Sequence, residues 1–134
     1  MPSRARILVV DDDDAIRETL RFALEDAGYD VFEAADGLTA LRQLRSTSER
    51  MIILLDLMMP SLDGAGVLGT VAGDARLSTQ FAYILITANT KTFPLAFATL
   101  LTNLRVPIIA KPFDIDDLLA LIDQANDRLA QPEV

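Results

Sequence analysis

Three short stretches of the chain carry no charged residue and stop abruptly at a polar one. Ile7-Leu8-Val9-Val10 ends at Asp11, Met51 to Leu55 ends at Asp56, and Ala82 to Ile86 ends at Thr87. A strand with one wet face alternates apolar and polar residues. A strand without that alternation is covered on both faces, which is the situation of parallel sheets sandwiched by helices. Between these runs the apolar period changes. From Ala15 to Ala27 the apolar residues fall at Ile16, Leu20, Ala23, Leu24 and Ala27, with Gly28 as the stop, which predicts a helix.

The rest of the chain repeats the alternation. Asp30 to Ala35 reads as a weaker strand, and Gly37 to Arg45 as a short helix on Leu38, Leu41 and Leu44. A loop with Pro60 and Gly64 precedes a poor helix at Ala65 to Val71, weakened by Gly66 and Gly69. Asp36-Gly37 and Asp63-Gly64 read as turns. Phe93 to Leu104 is helical with Pro94 in its first turn, and Val106 to Ala110 is the last strand, ending at Lys111-Pro112. Asp114 then caps a helix with the core stripe Ile115, Leu118, Leu119, Ile122, Ala125 and Leu129. Five (βα) units of this kind predict an α/β fold with a doubly wound, five-stranded parallel sheet and right-handed connections. In such sheets ligands bind beyond the carboxyl ends of the strands.

The polar residues at those ends form one chemical set. The first strand delivers Asp11 to Asp14, the third Asp56, the fourth Thr87 and the fifth Lys111. Asp13 and Asp14 read as helix-capping residues. Asp11, Asp12 and Asp56 converge if strands one and three are neighbours, and clustered carboxylates repel unless a cation binds among them. All-oxygen ligation suits Mg²⁺, and Mn²⁺ could substitute. A carboxylate is a nucleophile toward phosphoryl groups, and a Lys ammonium and a Thr hydroxyl can each hold a phosphoryl oxygen.

Composition removes the competing chemistries. There is no histidine and no cysteine, so a Ser-His-Asp triad, a thiol nucleophile and a His or Cys zinc site are all excluded. The net charge of −8 disfavours a nucleic-acid surface. Charged residues interrupt every apolar stretch before membrane-spanning length, and the N-terminus does not read as a signal peptide, so a cytoplasmic protein is expected. With 134 residues, 51% of them hydrophobic, a single domain with its core over about 5–130 is expected.

The same residues carry a resemblance. Leu8-Val9-Val10-Asp11-Asp12-Asp13, Leu54-Leu55-Asp56-Leu57-Met58-Met59-Pro60, Asp63-Gly64, Thr87-Ala88 and Lys111-Pro112-Phe113 resemble, in order and along almost the whole chain, the signature of response-regulator receiver domains. The resemblance implies the flavodoxin-like strand order 2-1-3-4-5. It makes Asp56 the phosphoacceptor, Asp11 and Asp12 the acidic pair with Asp12 the more direct Mg²⁺ ligand, and Met58 the residue whose backbone carbonyl completes the metal site. Thr87 matches the switch hydroxyl and Lys111 the family's lysine, whose bond to Pro112 is typically cis. The implied donor is a histidine kinase or a histidine phosphotransfer protein. The implied activity is that of a phosphoacceptor switch rather than an enzyme acting on a separate substrate. Met58 and Asn89 match positions that tune dephosphorylation.

Three features depart from the family pattern. Ile108 stands where an aromatic switch residue is usual. The segment from Thr87 to Lys111 is slightly longer than usual, with Thr102-Asn103-Leu104-Arg105-Val106-Pro107 in place of a Gly-Ala-Asp-Asp stretch. The helix at 93–104 is apolar beyond one stripe. If Phe93, Ala96, Phe97, Leu100 and Leu104 face the core, then Leu95, Ala98 and Leu101 project elsewhere, which marks that face for a homodimer or output partner. Two other functions compete. An aspartate-nucleophile phosphatase would need a second aspartate where Met58 stands. A pseudo-receiver would bind partners without phosphorylation.

Overall fold

The computed structural model describes residues 4–88 and 92–130. Five strands, β1 (Arg6–Val10), β2 (Val31–Ala34), β3 (Met51–Asp56), β4 (Phe81–Thr87) and β5 (Ile108–Ala110), form one parallel sheet in the order β2-β1-β3-β4-β5. The apolar runs that no single wet face could explain are its central strands. Every residue of β3 and β4 is buried.

Alternate residues of these strands feed two separate cores. Leu8, Val10, Ile53, Leu55, Tyr83 and Leu85 point to one face, and Ile7, Val9, Ile52, Leu54, Ile84 and Ile86 to the other. The helices α1 (Asp14–Asp26) and α6 (Ile115–Ala130) cover the second face. The helices α2 (Gly37–Ser46), α3 (Gly64–Ala72), α4 (Ala75–Gln80) and α5 (Leu95–Asn103) cover the first. The doubly wound sheet and its strand order follow the sequence reading.

Four details correct it. The short helix α4 lies between α3 and β4, where no element was expected. It is only six residues long, so it has no repeating apolar stripe, and it is anchored by fully buried Leu77 and by Asp74, whose carboxylate accepts from the N–H groups of Arg76 and Leu77. Asp36 and Asp63 are helix N-caps rather than turn residues. Their carboxylates accept from Thr39 N–H at 2.7 Å and Gly66 N–H at 2.8 Å. In α5, Leu101 is the buried residue and Ala96 is exposed, the reverse of the expected split. Apolar residues occupy most of the circumference of α5, so the sequence has no sharp stripe from which to choose its inward face. The last strand is shorter than the expected 106–110 because Pro107 has no N–H to contribute, although its carbonyl still accepts from Leu85 N–H.

Candidate functional site

Sheet register brings the four chemical positions to one edge. Asp11 is one residue past β1 and its N–H donates to Ala34 of β2 at 3.2 Å. Asp56 is the last residue of β3 and pairs with Ile86. Thr87 is the last residue of β4 and pairs with Ala110, and Lys111 N–H donates to the Thr87 carbonyl at 2.8 Å. Residues 11, 56, 87 and 111 are distant in the chain and adjacent here because parallel strands end together.

The side chains then meet. Asp11, Asp12 and Asp56 each place a carboxylate oxygen within 4.8 Å of the others, the separation expected of groups that share one cation. Asp11 and Asp56 are buried and Asp12 is exposed. The Lys111 ammonium reaches both buried acids, at 3.3 Å from Asp11 Oδ2 and 3.4 Å from Asp56 Oδ1. Thr87 is fully buried beside them. The Lys111-Pro112 bond is cis. The Met58 side chain is exposed at 67% and turned to solvent. Asn89 lies outside the described residues.

This donor set fits a divalent cation. Three carboxylates of formal charge −3 face one ammonium, so the cluster carries excess negative charge, and its ligands are hard oxygens with no nitrogen or sulfur among them. Burial and the Asp11 charge hold the Asp56 carboxyl above its ordinary pKa, and Lys111 and the Met58 backbone only partly offset them. The Lys111 ammonium loses hydration on burial, but Asp11 and Asp56 outweigh that loss and hold its pKa above the ordinary value.

A pH dependence follows from the raised Asp56 pKa. The folded state holds its proton more tightly than the unfolded chain does. The resulting stabilisation is present below the ordinary pKa of 3.8 and lost as pH rises through the folded value. In chelator, the stability of the wild type relative to Asp56→Asn is therefore expected to rise as pH is lowered from 7 toward 4. Urea unfolding of the two proteins across that range measures it, and a flat difference would contradict the raised Asp56 pKa.

Two features of the site were not read from the sequence. Arg17 binds the acidic turn, and Gly64 packs on the Asp56 backbone. The Arg17 guanidinium donates to the Asp11 carbonyl at 2.6 Å and to Glu33 Oε1 at 3.1 Å, and it also binds the Asp14 carboxylate. An Asp14–Arg17 pair at i, i+3 was a legible signal, but the partner on β2 was not. The capping reading of Asp13 holds. Its carboxylate accepts from Ala15 and Ile16 N–H, whereas Asp14, also read as a capping residue, is the first residue of α1 instead.

The family model of the response regulator receiver domain matches residues 7–123. The chain belongs to this family. Among curated relatives it is 32% identical to the DNA-binding dual master transcriptional regulator RpaA of Synechocystis over 94% of its own length, and 34% identical to the DNA-binding response regulator MtrA of Mycobacterium tuberculosis over 89%. It spans about half of each relative, 52% and 49% respectively. Among solved structures, the receiver domain protein of Methanospirillum hungatei superposes with a TM-score of 0.80 at 25% identity, over 96% of this chain and 100% of that one. The Vibrio cholerae chemotaxis protein CheY4 superposes with a TM-score of 0.76 at 26% identity, over 92% of this chain and 99% of that one. No helix among the described residues is long and apolar enough to cross a membrane.

Proposed function

We propose that this receiver domain accepts a phosphoryl group on Asp56 in a Mg²⁺-dependent reaction and signals through a protein contact rather than through turnover of a separate substrate. The observation that carries the reading is the buried Asp56 carboxylate, ringed by Asp11, Asp12 and Lys111 within ligand and hydrogen-bond reach. In the transfer, an Asp56 carboxylate oxygen attacks the phosphorus of a phosphohistidine on a histidine kinase or phosphotransfer protein. The P–N bond breaks, the imidazole leaves with the electron pair and takes up a proton, and an acyl phosphate remains. Lys111 would hold one phosphoryl oxygen as a point charge, and the Thr87 hydroxyl would donate to another. Asp11, Asp12, Asp56 and the Met58 carbonyl would hold the cation, which neutralises charge on the transferring group.

The output side is a protein surface. An open cavity of about 440 Å³ lies between α5, β5 and α6, with Phe93, Leu101, Val106, Pro107 and Ile108 in its wall. Leu95 stands 82% exposed on the adjoining helix, and Ile108 is 44% exposed. Apolar exposure on this scale supports a homodimer or an output partner at this face. The two relatives named above are DNA-binding regulators, and with −8 net charge this part of such a protein would contact protein, not DNA. A cytoplasmic location is consistent with the absence of cysteine and with a kinase donor.

Incubation with acetyl phosphate and Mg²⁺ tests the reading. Intact mass is expected to rise by one phosphoryl group in the wild type and not in Asp56→Asn. No gain in either protein would leave a phosphorylation-independent binding module as the better account.

A further inference from the structure

The metal-facing turn is held by a residue that the phosphotransfer chemistry does not use. Arg17 sits in the first turn of α1 with 13% of its side chain exposed, and its guanidinium is divided among three partners on three segments. Nη1 donates to the carbonyl of Asp11 at 2.6 Å. Nε donates to Glu33 on β2 at 3.1 Å, and Nη2 binds Asp14 at the start of its own helix. The Asp11 carbonyl belongs to the peptide that leads into Asp12. The other side of Asp11 is already fixed, since its N–H bonds to Ala34 and its Oδ1 accepts from Asp13 N–H at 2.9 Å. Arg17 therefore fixes the carbonyl of the peptide plane that leads into Asp12.

Asp12 is the exposed member of the acidic triad, so the direction of its carboxylate depends on the backbone that carries it. We propose that Arg17 is a positioning residue for the divalent cation: anchored by Glu33 on the edge strand, it orients the Asp11–Asp12 peptide so that the Asp12 carboxylate joins Asp11 and Asp56. This rests on the reading of the triad as a cation site. A guanidinium stays charged across physiological pH, and so does the clamp. Arginine is needed here because its planar fork meets three acceptors at fixed angles, and a lysine ammonium at the end of a flexible stem cannot span them.

The test is direct binding of Mg²⁺ by isothermal titration calorimetry, with the rise in melting temperature on Mg²⁺ addition as a second readout. Wild type, Arg17→Ala, Arg17→Lys, Glu33→Gln and Tyr83→Phe are compared. Tyr83→Phe removes a hydrogen bond to the Leu77 carbonyl, beside α4 and away from the acids, and serves as a control for general loss of stability. Arg17→Ala is expected to weaken Mg²⁺ about 10-fold, the scale of lost outer-shell support at metal sites, with Arg17→Lys and Glu33→Gln intermediate and Tyr83→Phe unchanged. Should Arg17→Ala not fold, the two intermediate variants carry the comparison. Wild-type affinity in the Arg17 variants overturns the proposal, and so does an equal loss in Tyr83→Phe. If the wild type itself takes up no Mg²⁺, the cation site falls first and this inference falls with it.

Discussion

Lys111→Ala is expected to slow phosphorylation of Asp56 by about 100-fold at saturating Mg²⁺ and to lower stability by about 2–3 kcal/mol in chelator. The two effects have one cause. The ammonium lies 3.3 Å from Asp11 and 3.4 Å from Asp56, both buried, and is their only ion-pair partner among the described residues. Removing one partner of a buried pair leaves uncompensated charge, and here it leaves two carboxylates facing each other. The loss falls just below the usual range for buried pairs because Lys111 keeps 23% of its side chain in water. Mg²⁺ would replace part of the missing charge, so the stability defect should shrink on adding it while the rate defect persists. The signs also separate the partners. Asp56→Asn removes a repelling charge and should stabilise the chelated protein at pH 7, whereas Lys111→Ala destabilises it. Urea unfolding with and without Mg²⁺, and intact-mass time courses with acetyl phosphate, measure both. A Lys111→Ala protein that gains phosphate at the wild-type rate would remove the lysine from the mechanism.

The reach of the sequence reading has a physical limit that these residues locate. Asp11, Asp56, Thr87 and Lys111 were legible because each ends a run with no polar alternation. Such runs lie in a parallel sheet, and parallel strands end on one edge. Their convergence needed no long-range guess beyond strand order. Arg17 was not legible in the same way. An arginine on a helix ordinarily snorkels its charge to solvent, and nothing in the chain between 17 and 33 announces that Glu33 is close. The caps at Asp36 and Asp63 passed for turns because Asp-Gly serves both, and only the direction of the following backbone decides. Leu101 and Ala96 exchanged places because α5 has apolar residues on most of its circumference, so its sequence has no sharp stripe from which to choose an inward face. Ile108 is half-exposed on edge strand β5, in the wall of the open cavity. The departure from the aromatic pattern noted in the sequence therefore falls on the proposed output face rather than in the acidic cluster.

Gly64→Ala is the second large expectation, and it shows how closely the backbone is drawn around Asp56, the proposed phosphoacceptor. Gly64 was read as a turn residue, which would make it glycine for its dihedral freedom. It is instead the first residue of α3, following the Asp63 cap. The requirement is space. A Cβ there would fall 2.8 Å from the Asp56 carbonyl oxygen and 2.9 Å from the Leu57 Cα, both backbone atoms that cannot rotate aside. The Gly64 N–H donates to the Leu57 carbonyl at 3.0 Å, and Leu57 N–H in turn bonds Ile86 at 3.0 Å, so the segment after Asp56 is tied to both α3 and β4. An added methyl must push α3 off the sheet or displace Asp56–Leu57 toward the acids. Overpacking of this kind costs about 1–3 kcal/mol, and the upper half of that range is expected because the colliding partners are main chain. Any displacement of Asp56 also misplaces the nucleophile, so phosphorylation should slow by at least about 10-fold, since small misplacements of reacting groups are expensive. Gly69→Ala, on the same helix with nothing within 4 Å of its added Cβ, is the matched control. It should be neutral or stabilise the helix by about 1 kcal/mol, the difference in intrinsic propensity. Thermal unfolding and acetyl-phosphate time courses on the two variants read the contrast. Equal behaviour of Gly64→Ala and Gly69→Ala would mean that α3 can move away from Asp56 at no cost, and that Asp56 is not held in the way the backbone contacts require.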